Sequence, residues 1–156
     1  MSRPIPAGEG RLLGVDFGTA RLGLARSDPG RTFASPWKVI PYKGTLRRAA
    51  HLVAEAAREA AAVGVVVGLP LSMDGAARDA ARAVRDFVAA LEALTGLPVE
   101  TADERLTTVE ATRVLADAGL RTRAIRPRVD MIAAALILQG WLDRTGGAAR
   151  GEEEGP

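Results

Sequence analysis

Hydrophobic and polar positions along the chain group into short apolar runs first and longer amphipathic stretches later, which is typical of an α/β domain. The early runs lie at about Arg11–Asp16, Leu22–Ser27 and Trp37–Ile40, with turn-forming sequences such as "SDPGR" between them. Apolar runs bounded by turn residues predict strands, and the close spacing of these three favours an antiparallel meander.

Alternating helices and strands are predicted for the rest of the chain. Thr45 precedes "LRRAAHLVAEAAREAAA", whose apolar residues share one helical face, so Thr45 is the predicted N-cap. The β-branched run "VGVVVG" predicts a buried, parallel strand. A helix over about 77–94 and a strand over about 98–101 follow.

Two more helices complete the pattern. Thr107 and Glu110 match a capping box, which predicts a helix that runs to Ala118 and ends at Gly119. The last helix, over about 128–142, is apolar almost all the way round and is therefore predicted to be buried. This order predicts an α/β fold with a five-stranded mixed sheet, in which three antiparallel strands precede parallel ones, and helices on both faces.

The chain has 156 residues, which suits one domain with a single core. We expect a flexible N-terminal arm at 1–10, one folded domain at 11–145 and a flexible acidic tail at 146–156. The first residues lack the apolar region of a signal peptide, and the longest apolar run, Met131–Leu138, is too short to cross a bilayer. We therefore expect a cytoplasmic protein with no membrane partner.

Composition excludes several kinds of chemistry. There is no cysteine, so disulfides, thiolate catalysis and cysteine-ligated zinc are excluded. The formal charge is +2, and the acidic run Glu152–Glu154 lies in the predicted tail, so the folded part is more basic than this value. Nearly all the basic residues are arginine, which suits phosphate recognition, although a biased genome is the other explanation.

Carboxylates stand at the ends of three predicted elements. Asp16 closes the buried run "LLGV", Asp103 and Glu104 follow the fifth strand, and Asp130 is the only acid of the last helix before Asp143. Each has an ordinary structural explanation: a hairpin turn for Asp16, a polar loop for Asp103 and Glu104, and a helix N-terminus for Asp130. Neighbouring strand residues face opposite ways, so one of Asp103 and Glu104 should face a shared site, and the pattern does not say which.

Together these acids predict a metal site. Three carboxylates at one edge of the sheet would repel one another unless a cation lay among them. Oxygen ligands alone select Mg²⁺ or Mn²⁺, and one or two such ions can activate a water for phosphodiester hydrolysis. This chemistry needs no histidine, and His51, the only one, lies in the middle of a predicted helix.

Arginines near these acids predict contacts with a nucleic-acid backbone. The segment before Asp130 is rich in arginine and holds no acid, as a phosphate clamp would require, although a solvated loop is the alternative. Gly18 and Thr19, in the turn after Asp16, are expected to support the metal site. The predicted nucleic-acid contacts are Arg21, Arg105, Arg126 and Arg128.

Four motifs in order, "GVDFGTARLGLA", "VVVGLPLSMDG", "DERLTTVEA" and "RVDMIAAALILQGWLD", resemble the YqgF family of pre-16S rRNA nucleases, also described as Holliday-junction-resolvase-like. The resemblance covers about residues 11–143 and implies a ribonuclease H-like fold. It also implies that Asp16, Glu104 and Asp130 are the catalytic and metal-binding acids. Asp103 would then orient the loop or a neighbouring residue.

The resemblance further implies a nuclease that matures the 5′ end of 16S ribosomal RNA, with a pre-ribosomal particle as a further partner. Resolution of Holliday junctions in branched DNA is the alternative activity, and it would require a homodimer rather than a monomer because two symmetric cuts need two sites.

Two other interpretations remain open from the residues. "DFGTARLGLA" is similar to the first phosphate loop of ATP-binding phosphotransferases of the actin and sugar-kinase kind, but those proteins use two such domains. A non-catalytic RNA-binding or ribosome-assembly protein is the second interpretation.

Overall fold

The computed structural model of the chain describes residues 3–18, 20–69, 75–103 and 126–153. The predicted helix over 107–118, Thr19, Glu104 and Arg105 lie outside these ranges. In the described part, five strands form one sheet in the order β3-β2-β1-β4-β5. The elements are β1 (Leu12–Phe17), β2 (Arg21–Ser27), β3 (Ala34–Pro41), α1 (Leu46–Glu59), β4 (Gly64–Leu69), α2 (Gly75–Thr95), β5 (Val99–Asp103) and α3 (Arg126–Glu153).

The sheet is mixed, as the sequence predicts. Strand β1 pairs antiparallel with β2, and β2 pairs antiparallel with β3. On its other side β1 pairs parallel with β4, and β4 pairs parallel with β5. The antiparallel meander therefore adjoins a parallel half, and β1 lies at the centre of the sheet.

Helices cover both faces of the sheet, and the alternation of β1 decides which residues face which helix. Leu13 and Val15 are fully buried in a core with residues of α1 and α2. Leu12 is fully buried in a second core with residues of α3. Gly14 belongs to this second face, because a Cβ there would lie 2.9 Å from the carbonyl oxygen of Ala134 in α3. The prediction of helices on both faces is confirmed.

Helix α1 begins as predicted. The Oγ1 of Thr45 accepts a hydrogen bond from the backbone N–H of Arg48, so one of the otherwise unsatisfied donors at the helix start has a partner. One face of the helix is buried against the sheet and α2. Its buried residues are Ala49, Ala50, Val53, Ala54, Ala56 and Ala57.

Two elements, β3 and α3, extend several residues beyond their predicted bounds. Strand β3 covers Ala34–Pro41 because its backbone pairs with β2 on both sides of a register shift at Leu24/Ala25, although its side chains are half-buried or exposed and show little hydrophobic pattern. Helix α3 covers Arg126–Glu153 and thus extends into the segment where a flexible tail was predicted. Glycine weakens a helix by only about 1 kcal/mol, so Gly146 and Gly147 do not have to end it.

The N-terminal segment lies against the domain. The backbone N–H of Arg3 donates to the carbonyl of Val99, and that of Gly10 donates to the carbonyl of Pro29. Between them, Ile5 is buried in the core beneath α3. These contacts hold the segment along one end of the sheet, and the flexibility expected of an arm stays a prediction. None of the described helices is both long and apolar enough to span a membrane.

Candidate functional site

Asp16 is a buried carboxylate near the end of the central strand. It is 6% exposed, and it faces α3 because it has the same parity in β1 as Leu12 and Gly14. In the antiparallel pair of β1 and β2, Asp16 lies opposite Gly23. Opposed residues of such a pair project to the same face, about 5 Å apart, so the face of Gly23 is also the face of Asp16.

Asp130 reaches this place from α3. A Cβ on Gly23 would collide with the backbone carbonyl of Asp130 and lie 3.0 Å from its Cβ. The helix therefore rests directly on the strand at Gly23. The consequence is that Asp16 and Asp130, which come from the first and last elements, lie on one face of the sheet around the same glycine.

The helix-terminus interpretation of Asp130 is wrong. Helix α3 begins at Arg126, and its first turn contains no acidic residue. Asp130 lies beyond that turn, where its carboxylate cannot cap the first backbone N–H groups. Its position is instead explained by two contacts with β2, namely the packing of its backbone on Gly23 and its ion pair with Arg21.

Arg21 forms an ion pair with Asp130. The guanidinium Nε donates to Oδ2 at 2.8 Å, and the side chains are 41% and 22% exposed. Arg21 was predicted to contact nucleic acid, and the structure brings it to a candidate metal ligand. A contact between Arg21 and phosphate stays a prediction.

The turn between β1 and β2 is held by Tyr42, which the sequence analysis missed. Its hydroxyl donates to the carbonyl of Gly18 at 2.7 Å, and its backbone N–H donates to the carbonyl of Ala20. Burial raises the pKa of the Tyr42 phenol above its usual range. The backbone N–H of Gly18 donates to the carbonyl of Arg21, so the turn between the two strands is closed at its base. No motif in the sequence marks Tyr42, because its role depends on the pairing of β3 with β2.

Other predicted residues lie at the same end of the sheet or outside the described ranges. Asp103 is the last residue of β5, and its backbone pairs with Leu69 of β4. Arg126 begins α3, and Arg128 is exposed in the first turn of that helix. Within the described residues, no group of three or more histidine, cysteine or acidic side chains converges as metal ligands would. The third predicted ligand, Glu104, lies outside the described residues.

The donor set suits a hard divalent cation. Asp16 and Asp130 offer only carboxylate oxygens, which are the ligands that Mg²⁺ and Mn²⁺ prefer. Two carboxylates on one face repel each other, and a cation among them relieves that repulsion. The residues present therefore fit the predicted metal.

Sequence comparisons identify close relatives. A family model described as "RuvX: Holliday junction resolvase" matches residues 10–144. A protein of Nocardia farcinica is 42% identical over 97% of this chain and 91% of its own length. A protein of Anaeromyxobacter sp. (strain Fw109-5) is 47% identical over 85% of this chain and 96% of its own. Both carry the name "Putative pre-16S rRNA nuclease", so the resemblance read from the four motifs is confirmed.

Solved structures show the same fold. Thermus thermophilus RuvC in complex with a Holliday junction substrate superposes with a TM-score of 0.58 at 18% identity, over 88% of this chain and 96% of RuvC. A second structure of the same protein gives a TM-score of 0.50 at 17% identity, with the same coverage. The predicted ribonuclease H-like architecture is thus confirmed.

Proposed function

The chain belongs to the RuvX family of Holliday junction resolvases and is a nuclease, and we propose that it hydrolyses nucleic-acid phosphodiesters with one or two bound Mg²⁺ or Mn²⁺ ions. The observation that carries this proposal is the approach of Asp130 to the strand position directly opposite Asp16. Two acids of an oxygen-only site thereby share one face of the sheet.

We assign Asp16, Glu104 and Asp130 as the metal ligands. Strand β5 supports Glu104 over Asp103: Glu100 accepts a hydrogen bond from Trp141 of α3, and Ala102 is buried in the core beneath that helix. Even-numbered positions of β5 thus face α3, on the side of the sheet that Asp16 and Asp130 share. Asp103 has the opposite parity, which suits a role in orienting the loop.

In this proposal the protein's own residues hold the metal and position the phosphate backbone. When bound, the metal supplies an activated water and stabilises the leaving oxygen of the phosphodiester. Asp16 contributes a carboxylate that burial keeps away from bulk water, and Asp130 contributes one that lies nearer the surface. Arg105, Arg126 and Arg128 would position the phosphate backbone, and Gly18 and Thr19 would support the turn beside Asp16.

Maturation of the 5′ end of pre-16S ribosomal RNA is the activity we propose, because relatives at 40–47% identity carry the pre-16S rRNA nuclease name. The cleavage would take place in the cytoplasm, on precursor RNA or a pre-ribosomal particle. Resolution of branched DNA is the second candidate, since the matching family is described by that activity. A homodimer in solution would favour the second activity, and a monomer the first.

The test is a cleavage assay on precursor 16S RNA and on a four-way DNA junction, with Mg²⁺, with Mn²⁺ and with a chelator. We expect metal-dependent cleavage of the RNA by the wild type and none by Asp16→Asn. Asp86→Asn is the matched control, because Asp86 is an exposed acid on α2 that should leave cleavage unchanged.

Cleavage that persists in Asp16→Asn would reveal a contaminating nuclease and contradict the proposal. Preference for the junction over the RNA would select the second candidate. Equal unfolding temperatures for the wild type and Asp16→Asn are required, so that loss of cleavage is not loss of fold.

A further inference from the structure

The guanidinium of Arg21 contacts Asp130, one of the proposed metal ligands. Its Nε is 2.8 Å from Oδ2 of Asp130. The two residues are 109 positions apart in the chain, so this contact forms only when α3 packs across β2. Both side chains are partly exposed, which leaves the pair accessible from solvent.

The backbone of β2 directs Arg21 to this face. Gly23 lies beneath Asp130, and Ala25 is fully buried in the core formed with α3. Leu22 and Leu24 face the opposite core, with α1 and α2. Arg21 has the parity of Gly23 and Ala25, so strand alternation places its side chain on the face of the sheet that α3 covers.

We propose that Arg21 is a positioning residue that supplies a counter-charge to Asp130 in the metal-free site and thereby limits how tightly the site binds a divalent cation. This inference rests on the proposed function, because it concerns the same metal site. The arginine offsets part of the repulsion between the Asp16 and Asp130 carboxylates in the metal-free protein. A bound cation therefore relieves less repulsion than it would without the arginine. The same positive charge also repels the incoming cation, and both effects lower its affinity.

If Arg21 instead contacts phosphate, the role expected from the sequence, its replacement should affect nucleic-acid binding rather than metal binding. Removal of a phosphate contact weakens nucleic-acid binding and reduces its salt dependence, but it leaves the affinity for free Mn²⁺ unchanged. Metal titration without nucleic acid therefore separates the two roles.

The experiment is calorimetric titration of the full-length protein with Mn²⁺, for the wild type, Arg21→Gln, Arg21→Ala and Arg21→Lys. The two neutral variants should bind Mn²⁺ about three- to tenfold more tightly than the wild type, as expected for loss of one nearby charge at a partly exposed site. Arg21→Lys keeps the charge and should stay within about twofold of the wild type.

Arg26→Gln is the matched control. Arg26 belongs to the same strand but to its opposite face, where its guanidinium carbon lies 4.9 Å from the centroid of the Trp37 ring. The same charge is removed, so an effect of net charge alone would appear in both variants. We expect Mn²⁺ affinity within about twofold of the wild type for Arg26→Gln.

Thermal unfolding provides a second readout that does not depend on cleavage. Arg21→Gln should unfold at a lower temperature than the wild type without metal. Added Mn²⁺ should raise its unfolding temperature by more than that of the wild type, because a ligand that binds more tightly stabilises the folded protein more at the same concentration. Equal or weaker Mn²⁺ affinity in both neutral variants would overturn this inference alone. A wild type that takes up no Mn²⁺ would overturn the proposed function and this inference with it.

Discussion

The backbone carbonyl of Asp130 packs against Gly23 so closely that no side chain could be accommodated at position 23. Gly23 is also the residue that lies opposite Asp16 in the pairing of β1 with β2. The reason for glycine here is the close approach of another backbone. This contact sets how α3 crosses the sheet and therefore where its carboxylate lies.

Replacement of Gly23 by alanine should displace α3 at the site. We expect a loss of about 1–3 kcal/mol in the free energy of unfolding, because overpacking forces the backbone to shift, together with weaker Mn²⁺ binding. Urea unfolding and calorimetric titration measure the two effects.

Gly146→Ala serves as the comparison for that variant. A Cβ at Gly146 of α3 would lie 3.9 Å from the carbonyl oxygen of Arg31, an ordinary contact. The same substitution should there stabilise the protein by about 0.5–1 kcal/mol, since alanine favours a helix. A Gly23→Ala protein with wild-type stability and Mn²⁺ affinity would refute the proposed role of this contact.

Asp130→Asn should abolish the rise in unfolding temperature that Mn²⁺ produces. The substitution removes the charge of one proposed ligand and keeps the size of the side chain. Asp143→Asn changes an exposed residue of the same helix, and it should keep the full response to Mn²⁺. Equal responses in the two variants would exclude Asp130 from the metal site.

Tyr42→Phe should loosen the turn that follows Asp16. Loss of the hydrogen bond to the carbonyl of Gly18 should lower the free energy of unfolding by about 0.5–1.5 kcal/mol at neutral pH. Chemical denaturation of the two proteins measures this difference, and equal stabilities would mean that the hydrogen bond contributes nothing.

Alkaline pH tests the burial of the same phenol. Burial raises the pKa of Tyr42 above 10.0, so the neutral form stabilises the folded protein below that pH, and this contribution is lost as pH rises through the raised pKa. Tyr42 is the only tyrosine in the chain, so phenolate absorbance reports its ionisation directly. Ionisation at or below pH 10.0 would contradict the assignment.

Asp28→Asn should reduce the acid sensitivity of folding. The backbone N–H groups of Phe33 and Thr32 each donate to Oδ1 of Asp28 at 2.8 Å. The hydrogen bond from Phe33 is the main cause that holds the pKa of Asp28 below its ordinary value of 3.8, against the opposing effect of desolvation. The resulting stabilisation is present above pH 3.8 and is lost as pH falls through the lowered pKa.

The measurement is the free energy of unfolding from neutral pH to below pH 3.8 for the wild type and Asp28→Asn. The variant should be less stable at neutral pH and lose less stability on acidification. Parallel curves would show that Asp28 does not contribute to the acid response.

Local sequence determined the strands and the first helices, and its four motifs identified the nuclease family. The run that ends at Asp16 and the Thr45 cap depend on neighbours within a few residues, so the pattern of apolar and polar positions was enough to predict them. The lengths of β3 and α3 were underestimated, because the first depends on backbone pairing with β2 and the second continues through glycines that only weaken a helix.

Tertiary structure alone decided how the candidate residues meet. The ion pair of Arg21 with Asp130 and the hydrogen bond of Tyr42 to Gly18 join residues from different elements, and no local pattern records such partners. The sequence could place a carboxylate at an element end, but its neighbours depend on which face of β2 the last helix covers. That choice follows from the packing of two distant backbones at Gly23, which is a property of the folded chain rather than of any segment.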